Sequence, residues 1–458
     1  YGASVAIDYR VPGGTSEIVR MLEAQYHAAA RTGRFDFADP INPTAPAGTI
    51  PFDLVFGGGS YDHGRLKTGV KVASSLGSST LPMSIPAGFE RAQMDRWFGE
   101  NAVGAQVLYD PGQYWVGVAL SGFGIVYNTV EYARLGLPPP QTFEDLTDPR
   151  LAGWVILADP RQSGSVATTL DSILSNYGWE KGWRVIREVC ANSRTFSNSS
   201  PKPPIDVSQG EAAAGLAIDF YGRGQSQAVL LPGQDPSESR VGYVDPKGAT
   251  YIDADPISIL RAGPNPELAK RFIEYCLTEE GQALWQLPAL ASVRGRGNPV
   301  GEDGERLGPE QYELRRMPVR RVMYEKYLGA MIDQANPFEI ASKTTPAGWR
   351  SGIGVMMGAF AIDTAHDQRR AWRALNEARA SARFPREVLG EMERLFYAFP
   401  ETVMPDGSAV AFTPENFRAI REYWREPGAQ AVCEVAYTGF FTTSYRRVVE
   451  LGSGYFAD

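Results

Sequence analysis

Apolar and polar positions alternate with period two from Ser4 to Arg10, where Val5, Ile7 and Tyr9 predict a strand. After the turn Pro12-Gly13-Gly14 the period lengthens to helical spacing from Thr15 to about Ala30. A Pro-, Gly- and Asp-rich stretch from Arg31 to Ile50 predicts a loop. The apolar run Pro51 to Phe56 then predicts a short strand that ends in Gly57-Gly58-Gly59-Ser60. Tyr114 to Tyr127 predicts a long extended segment, followed by a strand at Trp154 to Leu157, the turn Asp159 to Ser165, and helices at Val166 to Tyr177 and Trp179 to Ala191. Further on, the pattern predicts a polar segment at Arg194 to Ser200, a helix around Asp206 to Ala213 and a strand at Ala214 to Asp219. Two more strands flank Pro246-Lys247-Gly248, and Glu267 to Trp285 is helical. Strands alternating with helices make the class α/β. Beyond Val319 the signal is helical, with candidates at Arg321 to Asp333, Ile353 to Ala380, Pro385 to Phe399 and Pro414 to Trp424.

A chain of 458 residues exceeds what one hydrophobic core ordinarily serves, which predicts two lobes and an appendage. The expected boundaries are residues 1–116 with 256–318 for the first lobe and 117–255 for the second. Residues 319–458 are expected to form a helical extension packed on the first lobe. Forty-five basic against 53 acidic residues give a net charge of -8 with no basic run, which argues against nucleic acid as a partner. No stretch reaches the roughly 18 consecutive apolar residues of a membrane span. The sequence opens at Tyr1 without Met or a signal peptide, as a processed or trimmed chain would. Cys190, Cys276 and Cys433 have no metal or redox spacing, and Cys190 and Cys276, each on an apolar face of a predicted helix, read as small buried hydrophobes. His27, His63 and His366 read as surface or loop histidines.

The candidate chemistry sits where helices should begin. Gly13-Gly14-Thr15-Ser16, Gly58-Gly59-Ser60 and Ser163-Gly164-Ser165 place glycine and hydroxyl residues at such starts, where free N–H groups and the helix dipole favour an anion. Ordinary N-capping accounts for any one of them alone; three together, all after strands, point to a ligand cleft. Ser197 and Asn198 add polar groups on the segment after the second helix. Asp219 and Tyr221 stand at a predicted strand end before Gly222, where polar side chains can face a cleft. The glycine run lacks the Lys-Ser or Lys-Thr of a nucleotide-binding loop, and no nucleophile with its base or metal cluster is legible, so no cofactor is implied. Tyr61, Tyr114, Trp115 and Tyr251 read as packing aromatics.

The segment Asp253-Ala254-Asp255-Pro256-Ile257-Ser258-Ile259-Leu260, the run Gly263 to Glu274 and the tail Glu279-Glu280-Gly281-Gln282 carry a resemblance. They resemble extracellular solute-binding proteins related to the ferric-ion-binding and polyamine-binding receptors of ABC importers. The resemblance extends from Ser4 to Trp285 by order of elements. It implies a type II periplasmic-binding-protein fold, with two lobes joined by two crossing strands that close over one ligand, a periplasmic location, a monomer, and an ABC permease as partner. By position it implies that Ser163, Gly164 and Ser165 hold an anion, and that Asp219, Phe220 and Tyr221 stand where relatives present asparagine and two iron-binding tyrosines. Phe220 has no oxygen to donate, and Gly58 or Gly59 replaces the expected carboxylate, so hard Fe(III) loses donors. Relatives also begin with one more strand and helix, which this chain is expected to lack. The resulting expectation is a receptor for a small anionic solute such as a phosphorylated sugar. The alternatives are a ferric-ion receptor, a polyamine receptor using Asp219, Asp253 and Asp255, and, from another class, a hydrolase or transferase acting on a phosphorylated solute.

Overall fold

A computed structural model describes residues 5–11, 15–39, 41–74, 77–231 and 234–456. The chain divides into two compact units, Tyr1–Ser121 with Asp253–Phe338, and Gly122–Ile252 with Glu339–Asp458. The α/β class and the helical C-terminal region are both present.

In the first unit, helix Thr15–Arg31 starts where expected and helix Ser60–Thr68 follows its Gly-rich turn. Strand Leu54–Phe56 pairs antiparallel with Ile257–Ile259. Val19, Leu22 and Tyr26 bury one stripe of the first helix against Val55, Leu66 and Leu81. The tail motif has a local physical reason. Thr278 caps the helix Glu279–Gln286 by accepting from the Gly281 N–H, and a Cβ on Gly281 would lie 2.2 Å from the Tyr275 carbonyl oxygen. The buried Gln282 amide donates to the Val118 and Cys276 carbonyls and accepts from the Val319 N–H, tying three segments of the unit together. The single helix expected over Glu267 to Trp285 is two helices, Pro266–Cys276 and Glu279–Gln286, broken at this cap.

In the second unit, Phe123–Tyr127 of strand Val116–Asn128 pair antiparallel with Ala214–Ile218, which runs parallel to Val155–Ala158. That strand in turn runs parallel to Ser193–Ser197. Strand Val241–Val244 pairs with the other edge of Ile125–Asn128. Helices Gly164–Tyr177 and Trp179–Ala191 stand at the predicted positions. The polar segment after them is a strand to Ser197, and the helix expected at Asp206 to Ala213 is Lys202–Ser208, entered through Pro203 and Pro204.

Several expectations are corrected. Residues 5–11 belong to no strand; Val5, Ile7, Tyr9 and Val11 are exposed, so alternation alone did not secure a pairing partner. From Glu339 onward the C-terminal region groups with the second unit rather than with the first lobe. Its Phe360, Trp372, Phe396, Phe441 and Tyr445 share one core with Trp183, Ile186 and Val189, and Trp372 Nε1 donates to Asn192 Oδ1 at 2.8 Å. Each such aromatic removed from water contributes about 2–3 kcal/mol, so this region completes the unit's core. The chain passes between the units at 338/339 as well as within strands Val116–Asn128 and Tyr251–Leu260, so the two crossing strands are not its sole covalent link. The longest helix, Ala429–Phe456, was not anticipated. Its buried stripe, Tyr437, Phe441, Tyr445 and Val448, is masked in sequence by Val432 and Val435, which are exposed. The three cysteines are free and buried.

Candidate functional site

The first unit brings Thr15, at the start of its first helix, against the glycine turn at Gly58. Gly57 and Gly58 have φ of +80° and +93°, and they turn the chain from strand Leu54–Phe56 into the helix at Ser60. A Cβ on Gly58 would lie 2.6 Å from Thr15 Cγ2, so glycine there lets the starts of the two helices touch. Gly59 backs onto Asp253, whose carboxylate accepts the Ser60 N–H at 3.1 Å. A protein carboxylate therefore already holds the positive end of the Ser60–Thr68 helix. Gly13 and Gly14 lie outside the described residues, as does the Ser16 side chain. Asp255 is buried and committed: Ser121 Oγ donates to it at 2.5 Å and Arg316 forms an ion pair with it.

His63 corrects the surface reading. It is fully buried, with Nδ1 2.7 Å from Ser258 Oγ and Nε2 3.0 Å from the Gly57 carbonyl oxygen, so it braces the glycine turn. Burial pushes its pKa down to about 4. His27 and His366 are exposed on helices.

In the second unit the Asp159 carboxylate accepts from the Arg161 backbone N–H and, through both oxygens, from its guanidinium, which fixes the turn before Ser163. Ser163 is buried as the N-cap of helix Gly164–Tyr177, and its hydroxyl accepts the Val166 N–H at 3.3 Å. The same hydroxyl lies 2.7 Å from Ser200 Oγ and 3.4 Å from Ser165 Oγ. Three hydroxyls thus gather at a helix start whose first-turn N–H groups have no partner inside the helix. Ser197 is the last residue of its strand; its carbonyl accepts the Asp159 N–H at 2.7 Å, which docks the Ser197–Ser200 turn beside the cap. Asn198 is exposed on that turn. The sequence reading missed Ser200 and Arg350. Arg350 donates to Thr168 Oγ1 at 2.6 Å and to the Gly164 carbonyl at 3.1 Å, placing a guanidinium on the helix's first turn. Ser200 was within reach of local reasoning as a hydroxyl near the turn, whereas nothing in the sequence links Arg350 to Gly164.

Asp219 does not join this cluster. It opens helix Asp219–Ala228, is fully buried, accepts the Phe220 N–H at 2.7 Å and pairs with Arg223, which also pairs with Asp245 at 2.6 Å. Tyr221 lies in that helix's first turn, half-buried, with its ring 4.2 Å from the Phe220 ring. Asp219 and Asp255 are therefore each engaged in an ion pair within their own unit. Among the described residues no cluster of three or more His, Cys, Asp or Glu side chains could hold a metal ion. Nor is any described helix long and apolar enough to cross a membrane.

Residues 94–301 match the family model of bacterial extracellular solute-binding proteins. The chain resembles that family. A Haemophilus influenzae protein of uncharacterized role is 28% identical over 222 residues, 46% of this chain and 60% of its own length. The phosphoglycerate transport regulatory protein PgtC of Salmonella typhimurium is 26% identical over 230 residues, 49% of this chain and 54% of its own. The chain thus spans little more than half the length of these two relatives. Among solved structures, the periplasmic binding protein AfuA from Actinobacillus pleuropneumoniae, with fructose-6-phosphate bound, is 22% identical. It covers 59% of this chain and 70% of its own, with a TM-score of 0.39.

Two buried groups give the units opposite responses to acid. His63 is held below its ordinary value, so its stabilising effect is present above about pH 6.5 and is lost as pH falls toward 4. Asp171, on the helix Gly164–Tyr177, is pushed up to about 6 by burial, against the opposing pull of Arg350. Its contribution is full below about pH 3.8 and is lost as pH rises through 6. Denaturation at pH 7 and pH 4.5, in His63→Gln and Asp171→Asn backgrounds, is expected to show acid destabilisation of about 2–3 kcal/mol removed by the first substitution. The second substitution should remove an acid stabilisation of similar size. An unchanged pH slope in either variant refutes that assignment.

Proposed function

We propose that the protein is the periplasmic solute receptor of an ABC importer, and that it captures a small phosphorylated solute through the start of helix Gly164–Tyr177. The observation that carries this reading is the Ser163, Ser165 and Ser200 hydroxyl cluster at that N-terminus, flanked by the Arg350 guanidinium. Hydroxyl and N–H donors with a positive dipole end complement phosphate oxygens, and a guanidinium adds charge-assisted bonding. The phosphoglycerate named for PgtC belongs to the same ligand class. Ser197, Asn198 and Tyr221 of the same unit supply contacts to the rest of the solute. The protein acts by binding and not by catalysis, as a monomer that hands its solute to a membrane permease.

The test is native mass spectrometry of the purified protein, followed by calorimetric titration with hexose monophosphates, phosphoglycerates, inorganic phosphate, ferric citrate and spermidine. Tight binding confined to ferric citrate or spermidine refutes the proposal. Arg350→Ala is expected to weaken the best phosphorylated ligand about tenfold, with partial recovery in Arg350→Lys. Equal affinity in the folded alanine variant removes Arg350 from the site.

A further inference from the structure

A second site lies entirely within the second unit, between helix Trp179–Ala191 and the C-terminal region. It is a cavity of about 460 Å³, a size suited to small ligands, walled by Trp179, Trp183, Phe399 and Phe412. The walls are an aromatic cluster: Trp179 and Phe412 lie 4.8 Å apart between ring centroids, Trp183 and Phe399 5.6 Å.

Arg187 borders the cavity from within the core and is 1% exposed. Its Nη1 donates to the Phe396 and Ala398 carbonyls at 2.6 and 2.9 Å, where helix Arg386–Tyr397 ends. Its guanidinium carbon sits 4.4 Å from the Phe399 centroid and 4.8 Å from that of Phe360. The neighbouring Glu188 is already taken by Arg184 and by the Tyr397 hydroxyl. Arg187 makes no ion pair among the described residues, and its Nη2 has no hydrogen-bond partner. Trp183 Nε1, on the adjoining wall, has none either. Two buried donors left unmade are costly, and the guanidinium keeps its charge despite burial.

We propose that this cavity is an accessory binding site for a small aromatic monocarboxylate. The ring of the ligand stacks among Trp179, Trp183 and Phe412, and its carboxylate accepts from Arg187 Nη2 and Trp183 Nε1. Both nitrogens are closed off from bulk water, so the carboxylate reaches them through a rotation of the Trp183 indole. Glu180 and Glu415, exposed at the mouth beside Arg184, disfavour a dianion more than a monoanion.

The experiment titrates the full chain with phenylacetate, followed by calorimetry and by the fluorescence of the wall tryptophans. Phenylacetamide, of the same shape without the charge, and acetate, which lacks the ring, are the comparison ligands. Phenylacetate is expected to saturate one site, and phenylacetamide to bind at least about tenfold more weakly. Acetate should give no saturation below about 10 mM. Trp183→Phe keeps the ring and removes the N–H, and it is expected to weaken phenylacetate about fivefold while the protein stays folded by circular dichroism. Arg187→Met should abolish binding if it folds. Ser165→Asp should leave phenylacetate binding unchanged, which separates this site from the one at the Gly164–Tyr177 helix. Absence of saturation up to about 10 mM, equal affinity for the amide, or an unchanged affinity in Trp183→Phe overturns the proposal.

Discussion

Ser165→Asp is expected to lower affinity for the best phosphorylated ligand by at least about a hundredfold while leaving the protein folded. Ser165 lies in the first turn of helix Gly164–Tyr177, half-buried, 3.4 Å from the Ser163 hydroxyl that caps it. A carboxylate there is favourable to the helix itself by a few tenths to about 1 kcal/mol, because it faces the positive end of the dipole. For the ligand it is doubly adverse. It takes up the N–H groups that an incoming phosphate needs, and it sets like charges side by side, which costs several kcal/mol. Loss of one neutral hydrogen bond alone amounts to about 1 kcal/mol, or roughly fivefold, so the size of the effect distinguishes an anion site from an incidental contact. Calorimetric titration decides: a folded variant that binds as tightly as the parent places the anion elsewhere.

Arg223→Met is expected to destabilise the second unit by about 3–5 kcal/mol. The Arg223 side chain is 4% exposed, and it pairs with Asp219 and Asp245, which are 0% and 3% exposed. Removing the guanidinium leaves two buried carboxylates without the cation they share, close to the Tyr243 ring, which lies 5.3 Å from it. The neutral set Arg223→Met, Asp219→Asn, Asp245→Asn should recover much of the loss, because it abolishes the buried charge while keeping volume. Chemical denaturation of the single and triple variants measures both effects. A loss of less than about 1 kcal/mol in the single variant, or no recovery in the triple, contradicts the reading of Asp219 as structural and returns it to the list of candidate ligand contacts.

The parts of the candidate site that could be read from sequence are those whose physics is local. A strand running into glycines and a hydroxyl is a helix start whatever surrounds it, and the starts at Ser60 and Gly164 are where that pattern places them. The cap at Thr278 and the close approach at Gly281 are likewise contacts within a few residues. The errors have the opposite character. Asp219 carries the same carboxylate whether it faces a ligand or an arginine; the partner four residues on, Arg223, and the burial of both were settled by packing. His63 reads as a loop histidine until Ser258, far along the chain, comes within hydrogen-bond distance.

The alternation of strands and helices, the glycine turn before Ser60 and the capped helix starts could be read from the residues alone, because dihedral preference, hydrophobic period and capping act over a handful of neighbouring residues. Tertiary structure alone decided that the region beyond Glu339 completes the core of the second unit, and so brings Arg350 to the first turn at Gly164 and Phe399 and Phe412 over Trp183. Those contacts join residues 186 to 229 positions apart. They are chosen by which apolar faces can be buried together, a choice that leaves no periodic trace at either end of the pair.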